Sequence, residues 1–361
     1  MPEHFNPNKR SLSFNSSRIL FCVGLAVLQS GCAIFGGETK IGDGVVIANK
    51  LIVRSSTAAV ALPRAEVKRG DRLEILDHSE VKTPTRVEEW YKVRTKTPNP
   101  VIGWVESHSV INQAVVDKIS DLFEKSKDVI SQGRGRLKVQ TRLRIDPGSD
   151  LVTMLSRGTM VDIVGKARTT IKSERQQTSE DSDEAVEEPE TRTVLWYQIR
   201  IPDAEVIRAG WVGAQQVDLD VPEEIMHLEG DGRRFTGWVV LDQTRAKNGE
   251  MKNNYIGLMK SLSTEGPIDF TRIWVLNYSK EDGRYGGPYI EDGLHGILPV
   301  TLTTASGRKG FTIRELDEHG KTVPIEYQTI RENNRLVVKR LSPKIYYNRR
   351  ASSRQAPHKR K

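Results

Sequence analysis

The chain has 361 residues, length enough for two or three domains. Hydrophobic residues make up 37% and charged residues 28% of it, which fits a soluble body and excludes one dominated by a large core. Its 55 basic residues are nearly matched by 47 acidic ones, so a formal charge of +8 carries no nucleic-acid signature.

Residues 1–31 read as an export signal. Lys9, Arg10 and Arg18 precede the apolar run from Ile19 to Leu28, and Gln29-Ser30-Gly31-Cys32 follows. That run is short for crossing a bilayer, and small residues stand at its end, as at a cleavage site. Gly31-Cys32 resembles the lipobox of bacterial lipoproteins, with Gln29 where that pattern carries an aliphatic residue. The resemblance implies lipidation of Cys32, a membrane partner through that lipid, and an exported protein held in the periplasm or at the cell surface. Cys22 and Cys32 are the only cysteines, so the exported body forms no internal disulfide.

Residues 32–44 read as a tether. A β-rich unit follows over 45–111. Leu51-Ile52-Val53-Arg54-Ser55 leads to Gly70 and the partly alternating Leu73, Ile75 and Leu76. Residues 78–89, with Pro84 and mixed charge, are expected to be a solvated hairpin connection. Trp90-Tyr91-Lys92-Val93 and Gly103-Trp104-Val105 close the unit. Over 112–133 the period changes. Val115, Ile119, Leu122 and Phe123 recur at helical spacing, with Asn112 as N-cap and Gly133 as stop, which predicts an amphipathic helix packed between two small domains.

Over 134–218 the same order returns. Leu143-Arg144-Ile145, Gly158, Val161 and Ile163 precede Trp196-Tyr197-Gln198-Ile199 and Gly210-Trp211-Val212. The glycine to Trp-Tyr spacing is 20 residues in the first copy and 38 in the second. One acidic insertion, 173–192, accounts for the difference; nearly free of apolar residues, it is expected to be a mobile hairpin loop. Region 222–345 reads as a mainly β domain with its own core. Within it Gly283, Gly286, Gly287 and Pro288 predict turns, Tyr255–Leu262 is ambiguous, and Pro324 marks an edge strand. Residues 346–361 form a basic tail.

The pieces Leu51, Val53, Arg54 and Ser55; Lys68, Gly70, Leu73 and Ile75; Trp90 to Val93; and Gly103-Trp104-Val105, repeated as above in the second copy, resemble the bacterial SH3 family of small extracellular barrels. The resemblance implies an all-β chain of two tandem SH3-like barrels joined by an amphipathic helix and followed by a mainly β C-terminal domain. In that family such modules commonly bind cell-wall peptides or glycan, or dock proteins. Neighbouring residues of a strand point to opposite faces, so one ring of each Trp-Tyr pair is expected in the core and the other free to bind. The candidate ligand-binding residues are Arg54, Trp90, Tyr91, Trp104, Arg144, Trp196, Tyr197 and Trp211, with Trp104 and Trp211 as core or rim aromatics.

Catalytic inventories are thin. The seven histidines are scattered, with no paired metal-ligand spacing, and no Gly-x-Ser-x-Gly elbow or phosphate loop occurs, so no cofactor or metal is expected. Glu291-Asp292-Gly293-Leu294-His295-Gly296 crowds a carboxylate, a histidine and glycines, and is expected to be a solvated turn. The reading is a non-enzymatic, envelope-anchored binding or scaffold lipoprotein whose partner is peptidoglycan or an envelope protein. The alternatives are an accessory subunit of an envelope assembly that uses the C-terminal domain, and a hydrolase in that domain.

Overall fold

In a computed structural model, the chain is described over residues 38–149, 151–172, 191–264, 266–305, 308–332 and 335–345. The signal, Cys32, most of the acidic insertion and the basic tail lie outside the described residues. The described chain is predominantly β, in three seven-stranded sheets.

The first sheet contains β1 (Gly42–Val46), β2 (Lys50–Arg54), β3 (Pro63–Lys68), β4 (Arg72–Lys82), β5 (Val87–Thr95), β6 (Ile102–Glu106) and β7 (Val110–Asn112), in the order β3-β2-β6-β5-β4-β1-β7. Its core gathers Val46, Leu51, Val53, Leu73, Val93 and Val105. The expected solvated connection over 78–89 is instead mostly ladder. β4 runs to Lys82 and β5 starts at Val87, so cross-strand pairing carries the hairpin far beyond the core.

Helix α1 (Gln113–Ser126) follows, and Asn112 caps it by accepting from the Ala114 amide at 2.9 Å. It lies against β1 and β7 of the first sheet and, after the next unit is laid down, against that unit's closing hairpin. Gly133 is not its stop. The helix ends seven residues earlier, and Gly133, at φ +145°, lies against the Trp238 ring, which a Cβ added there would touch.

The second sheet contains β8 (Arg134–Leu137), β9 (Thr141–Arg144), β10 (Leu151–Leu155), β11 (Met160–Lys172), β12 (Thr191–Arg200), β13 (Ala209–Gly213) and β14 (Val217–Leu219). Their order, β10-β9-β13-β12-β11-β8-β14, repeats the first sheet strand for strand. The registers repeat as well. Trp90 faces Ser79 and Tyr91 faces His78, as Trp196 faces Ala167 and Tyr197 faces Lys166. A bulge interrupts both ladders at one place, between Ile75 and Asp77 and between Ile163 and Gly165. Gly103 and Gly210 let β6 and β13 pass so close to β2 and β9 that a Cβ would collide with the Arg54 carbonyl or with Leu143.

After the short helix α2 (Glu223–Met226) the third sheet is a simple meander: β15 (Arg233–Arg245), β16 (Met251–Ser261), β17 (Phe270–Ser279), β18 (Arg284–Ala305), β19 (Arg308–Leu316), β20 (Thr322–Glu332) and β21 (Arg335–Arg340). One face holds the core of Ile256, Phe270, Val300, Phe311 and Ile313; the other packs Phe235, Trp238 and Met259 against Ile225 of α2. The ambiguous 255–262 stretch falls mainly in β16. Gly286, Gly287 and Pro288, expected in turns, lie inside β18. There Gly287 packs under the Trp274 indole, where any side chain would collide. The expected turn at 291–296 is also strand, because Gly293 at φ +76° absorbs the irregularity between the Arg272–Asp292 and Phe270–Gly296 pairs. β20 is an interior strand rather than an edge. Pro324 is tolerated because the β21 ladder begins only at Tyr327, so at Pro324 the strand is paired with β19 alone.

Two buried polar groups join the second unit to the third sheet. Gln132 accepts from the Val300 amide at 2.7 Å and donates to the Val300 carbonyl at 2.9 Å, while its backbone donates to Ile163 and accepts from the Trp238 amide. Asp269, 1% exposed, accepts from the Leu298 amide at 2.9 Å and meets Lys166 and Arg168 of β11 at 2.9 and 2.5 Å.

Candidate binding groove between the two β units

In the first unit the Trp90-Tyr91 pair divides as strand alternation requires. Trp90 is buried on the outer face. Tyr91 points inward, packs on the edge of the core and stays half-buried at the mouth of the curled sheet. On that inner face the cross-strand pairs are His78 with Tyr91 and Glu80 with Glu89.

Tyr91 lines a groove of about 940 Å³ between the first unit and the β9–β10 hairpin of the second. Glu89, Ser107, His108 and Asn112 line it from the first unit, Val115 and Lys118 from α1, and Ile145, Asp146, Leu151 and Met154 from the second. Leu151 and Met154 are 50% and 38% exposed, so the groove floor carries open apolar surface beside carboxylates. A smaller hollow of about 270 Å³ adjoins it at Glu89, Ser107 and His108 and reaches Glu88 and Glu106. Several of these charges are already engaged. Arg86 holds Glu88 at 2.8 Å, His108 lies 3.3 Å from Glu106, and Glu89 accepts from Ser107 at 3.4 Å with His78 at 4.0 Å.

At the equivalent place in the second unit there is no such opening for Tyr197. Both rings of that pair are buried at 8% exposure, contrary to the expectation of one free ring. The reason is tertiary: Lys166 and Arg168, beside Tyr197, are taken up by Asp269 of the third sheet. Burial, and secondarily the Asp269 charge, pushes the Tyr197 phenol up to about 12. Burial also draws the Lys166 ammonium below its usual range, against the pull of Asp269.

The other sequence candidates scatter. Trp104 is half-buried with the Lys92 ammonium 6.0 Å from its ring, and Arg54 bridges it through backbone pairing. Trp211 is also half-buried and pairs with Arg144. Arg144 lies over the Trp196 ring at 5.8 Å and donates to the Ser149 carbonyl; the Trp196 indole donates to Thr169 at 2.8 Å. Of the eight candidates only Tyr91 lines the groove. Sequence reasoning missed Glu89, His108, Lys118, Leu151 and Met154. For Leu151 and Met154 the signal was present, two apolar residues in a short segment beside polar neighbours, but nothing local says which face stays uncovered.

Two more hollows, about 590 and 700 Å³, meet at Arg331 and Leu336 in the third sheet, where Arg331 reaches Asp242 at 3.2 Å. The 291–296 segment builds neither. Glu291 is buried, accepts from Tyr289 at 2.6 Å and Tyr327 at 2.9 Å, and binds Arg340 at 2.5 Å. Burial holds the nearby His295 imidazole below its ordinary range, with Glu315 pulling the other way.

No family model and no curated protein matches the chain. Among solved structures, NlpC1 from Trichomonas vaginalis aligns at 10% identity and a TM-score of 0.15, over 54% of this chain. The aligned part is 50% of that structure's own length, and a likeness this slight carries neither fold nor activity across.

Proposed function

We propose that this chain is a non-enzymatic, envelope-anchored binding or scaffold protein, in which two SH3-like units present a ligand groove. The observation that carries this reading is the groove itself: it stands at the mouth of one unit, on the ring that strand alternation leaves uncovered, with open apolar floor and a polar rim. The export-type segment at residues 1–32 supports placing that groove outside the cytoplasm, where wall peptide and envelope proteins are the available ligands. The identical strand order and registers of the two sheets support the reading of tandem small barrels. Against the hydrolase alternative stands the Glu291 cluster, whose two carboxylate oxygens are already committed to two tyrosines and an arginine.

Co-sedimentation of the full chain with purified peptidoglycan tests the wall reading. Binding that Tyr91→Ala weakens about tenfold, the loss of one aromatic contact worth about 1.4 kcal/mol, supports it. Binding indifferent to Tyr91, or none at low salt, removes wall recognition by this groove.

A further inference from the structure

The β2–β3 hairpin of the first unit carries the two most exposed large apolar side chains among the described residues, Val60 at 90% and Leu62 at 72%. From Ser55 to Pro63 it has no charged residue, and Ala58-Ala59-Val60-Ala61-Leu62 is an unbroken apolar run at its tip. A soluble surface avoids such a run unless something covers it. The duplication provides a control. The matching hairpin, between β9 and β10, reads Ile145-Asp146-Pro147-Gly148-Ser149-Asp150, a polar sequence with two carboxylates. The strand arrangement that the units share therefore does not require the apolar tip.

Two further observations say what covers it. The loop closes on itself: the Ser55 amide donates to the Leu62 carbonyl at 2.9 Å, and the Ser55 hydroxyl accepts from the Leu62 amide at 3.0 Å. The Ala61 amide donates to the Ala58 carbonyl at 3.0 Å. A preformed tip with its polar groups paired internally loses less on entering an apolar medium. The base of the loop is cationic. Arg54 and Arg64 flank it, no acid occurs from Arg54 to Ala65, and Glu66 is held by Lys50 at 2.5 Å. Arg64 donates to the Ile102 carbonyl at 2.7 Å, which brings alongside the loop over 96–101, also free of acidic residues. An apolar tip above a cationic, acid-free collar complements an anionic bilayer, with acyl chains inside and phosphates at the surface.

Resting on the envelope-anchored reading above, we propose that this hairpin is a membrane contact in its own right. Val60 and Leu62 enter the acyl boundary of an anionic lipid surface, and Arg54 and Arg64 meet the headgroup phosphates. The length of chain ahead of the first unit agrees with this. Only six residues lead from Cys32 to Glu38, a span of at most about 20 Å. A lipid on Cys32 therefore holds the first unit beside the bilayer. A single lipid chain attaches reversibly, and a second contact makes the attachment stable.

The test places an environment-sensitive nitrobenzoxadiazole dye at the tip of the full chain, through Val60→Cys with Cys22→Ser and Cys32→Ser. The labelled chain is mixed with vesicles of phosphatidylglycerol and phosphatidylethanolamine at low ionic strength. A blue shift of the dye and its quenching by brominated acyl chains are expected. The same dye at Pro147→Cys, on the matching hairpin of the second unit, should show neither. That control also covers any attachment through residues 19–28 and the dye's own affinity for lipid. Leu62→Asp in the Val60-labelled chain should abolish most of the quenching with the thermal midpoint unchanged, because Leu62 is exposed. No quenching at position 60, equal quenching at both positions, or quenching indifferent to Leu62→Asp overturns the proposal. If it falls while peptidoglycan still co-sediments in a Tyr91-dependent way, the groove reading stands and the hairpin contact alone is lost.

Discussion

In the first unit His78 and Glu80 face Tyr91 and Glu89 across the ladder; in the second, Lys166 and Arg168 face Tyr197 and Leu195. The backbones agree down to the bulge beside them, so the difference lies in side chains and in what approaches them. The second mouth is sealed by the third sheet, through Asp269 and, at the neighbouring linker, through Gln132. The first looks across a groove to a hairpin of the second. A duplicated fold thus supplies one socket twice, and a few side chains separate the copy that the third sheet covers from the copy that stays uncovered.

The sharpest way to break this comparison is to remove the plug. Asp269→Ala leaves Lys166 buried beside Arg168 without its carboxylate and is expected to cost about 3 kcal/mol, as broken buried ion pairs do. Urea denaturation followed by tryptophan fluorescence reads the loss. His78→Ala, at the place of Lys166 in the open unit, should cost well under 1 kcal/mol at a half-exposed site. Equal costs for the two would mean that the sockets are not used differently.

A second pair asks whether the two scaffolds are equally tight. In Gly103→Ala the new methyl meets the Arg54 carbonyl, a backbone atom, as well as Val53. In Gly210→Ala it meets chiefly the Leu143 side chain, a movable group rather than backbone although it is buried in the core, with the Arg144 carbonyl at 3.0 Å. Overpacking costs of about 3 kcal/mol and about 1 kcal/mol, respectively, are expected from thermal melts. The reverse order would show that the first unit yields more readily than its geometry implies.

The smallest effect comes from an unfinished correspondence. The Trp196 indole donates to Thr169, whereas the Trp90 indole nitrogen is buried with no hydrogen-bond partner. Ser79 lies opposite Trp90 as Ala167 lies opposite Trp196, so Val81 holds the place of Thr169. Val81→Thr is expected to stabilise the first unit by about 1 kcal/mol, the net worth of one satisfied buried donor. A variant no more stable than the parent would show that the hydroxyl cannot reach.

Much of the architecture was legible because it rests on local signals. The Trp-Tyr and Gly-Trp-Val phrases mark paired strands in both units, Gly70 and Gly158 turn at positive φ in both, and Asn112 caps the helix. The errors fall where a long-range partner overrides a local preference. Gly286, Gly287 and Pro288 look like a turn and are strand, because the Trp274 ring requires a bare backbone beside it. Glu291 looks solvated and is buried, because Arg340, 49 residues away, neutralises it. Asp269 and Gln132 have no local signature: one lies two residues after Pro267, and the other sits in a linker. Their partners lie 101 and 168 residues distant.

The sequence by itself determined that the chain is built on β-structure, that one strand arrangement occurs twice, and which two rings compete for each core. These follow from period, glycine placement and repetition, all properties of neighbouring residues. Only the tertiary structure decided which of the two tyrosines stays accessible. Tyr91 and Tyr197 occupy the same register with the same tryptophan before them, and their exposure depends on whether another domain delivers a carboxylate to the mouth of the sheet. That delivery depends on the position of Asp269 in a third sheet, and no pattern in the vicinity of either tyrosine encodes it.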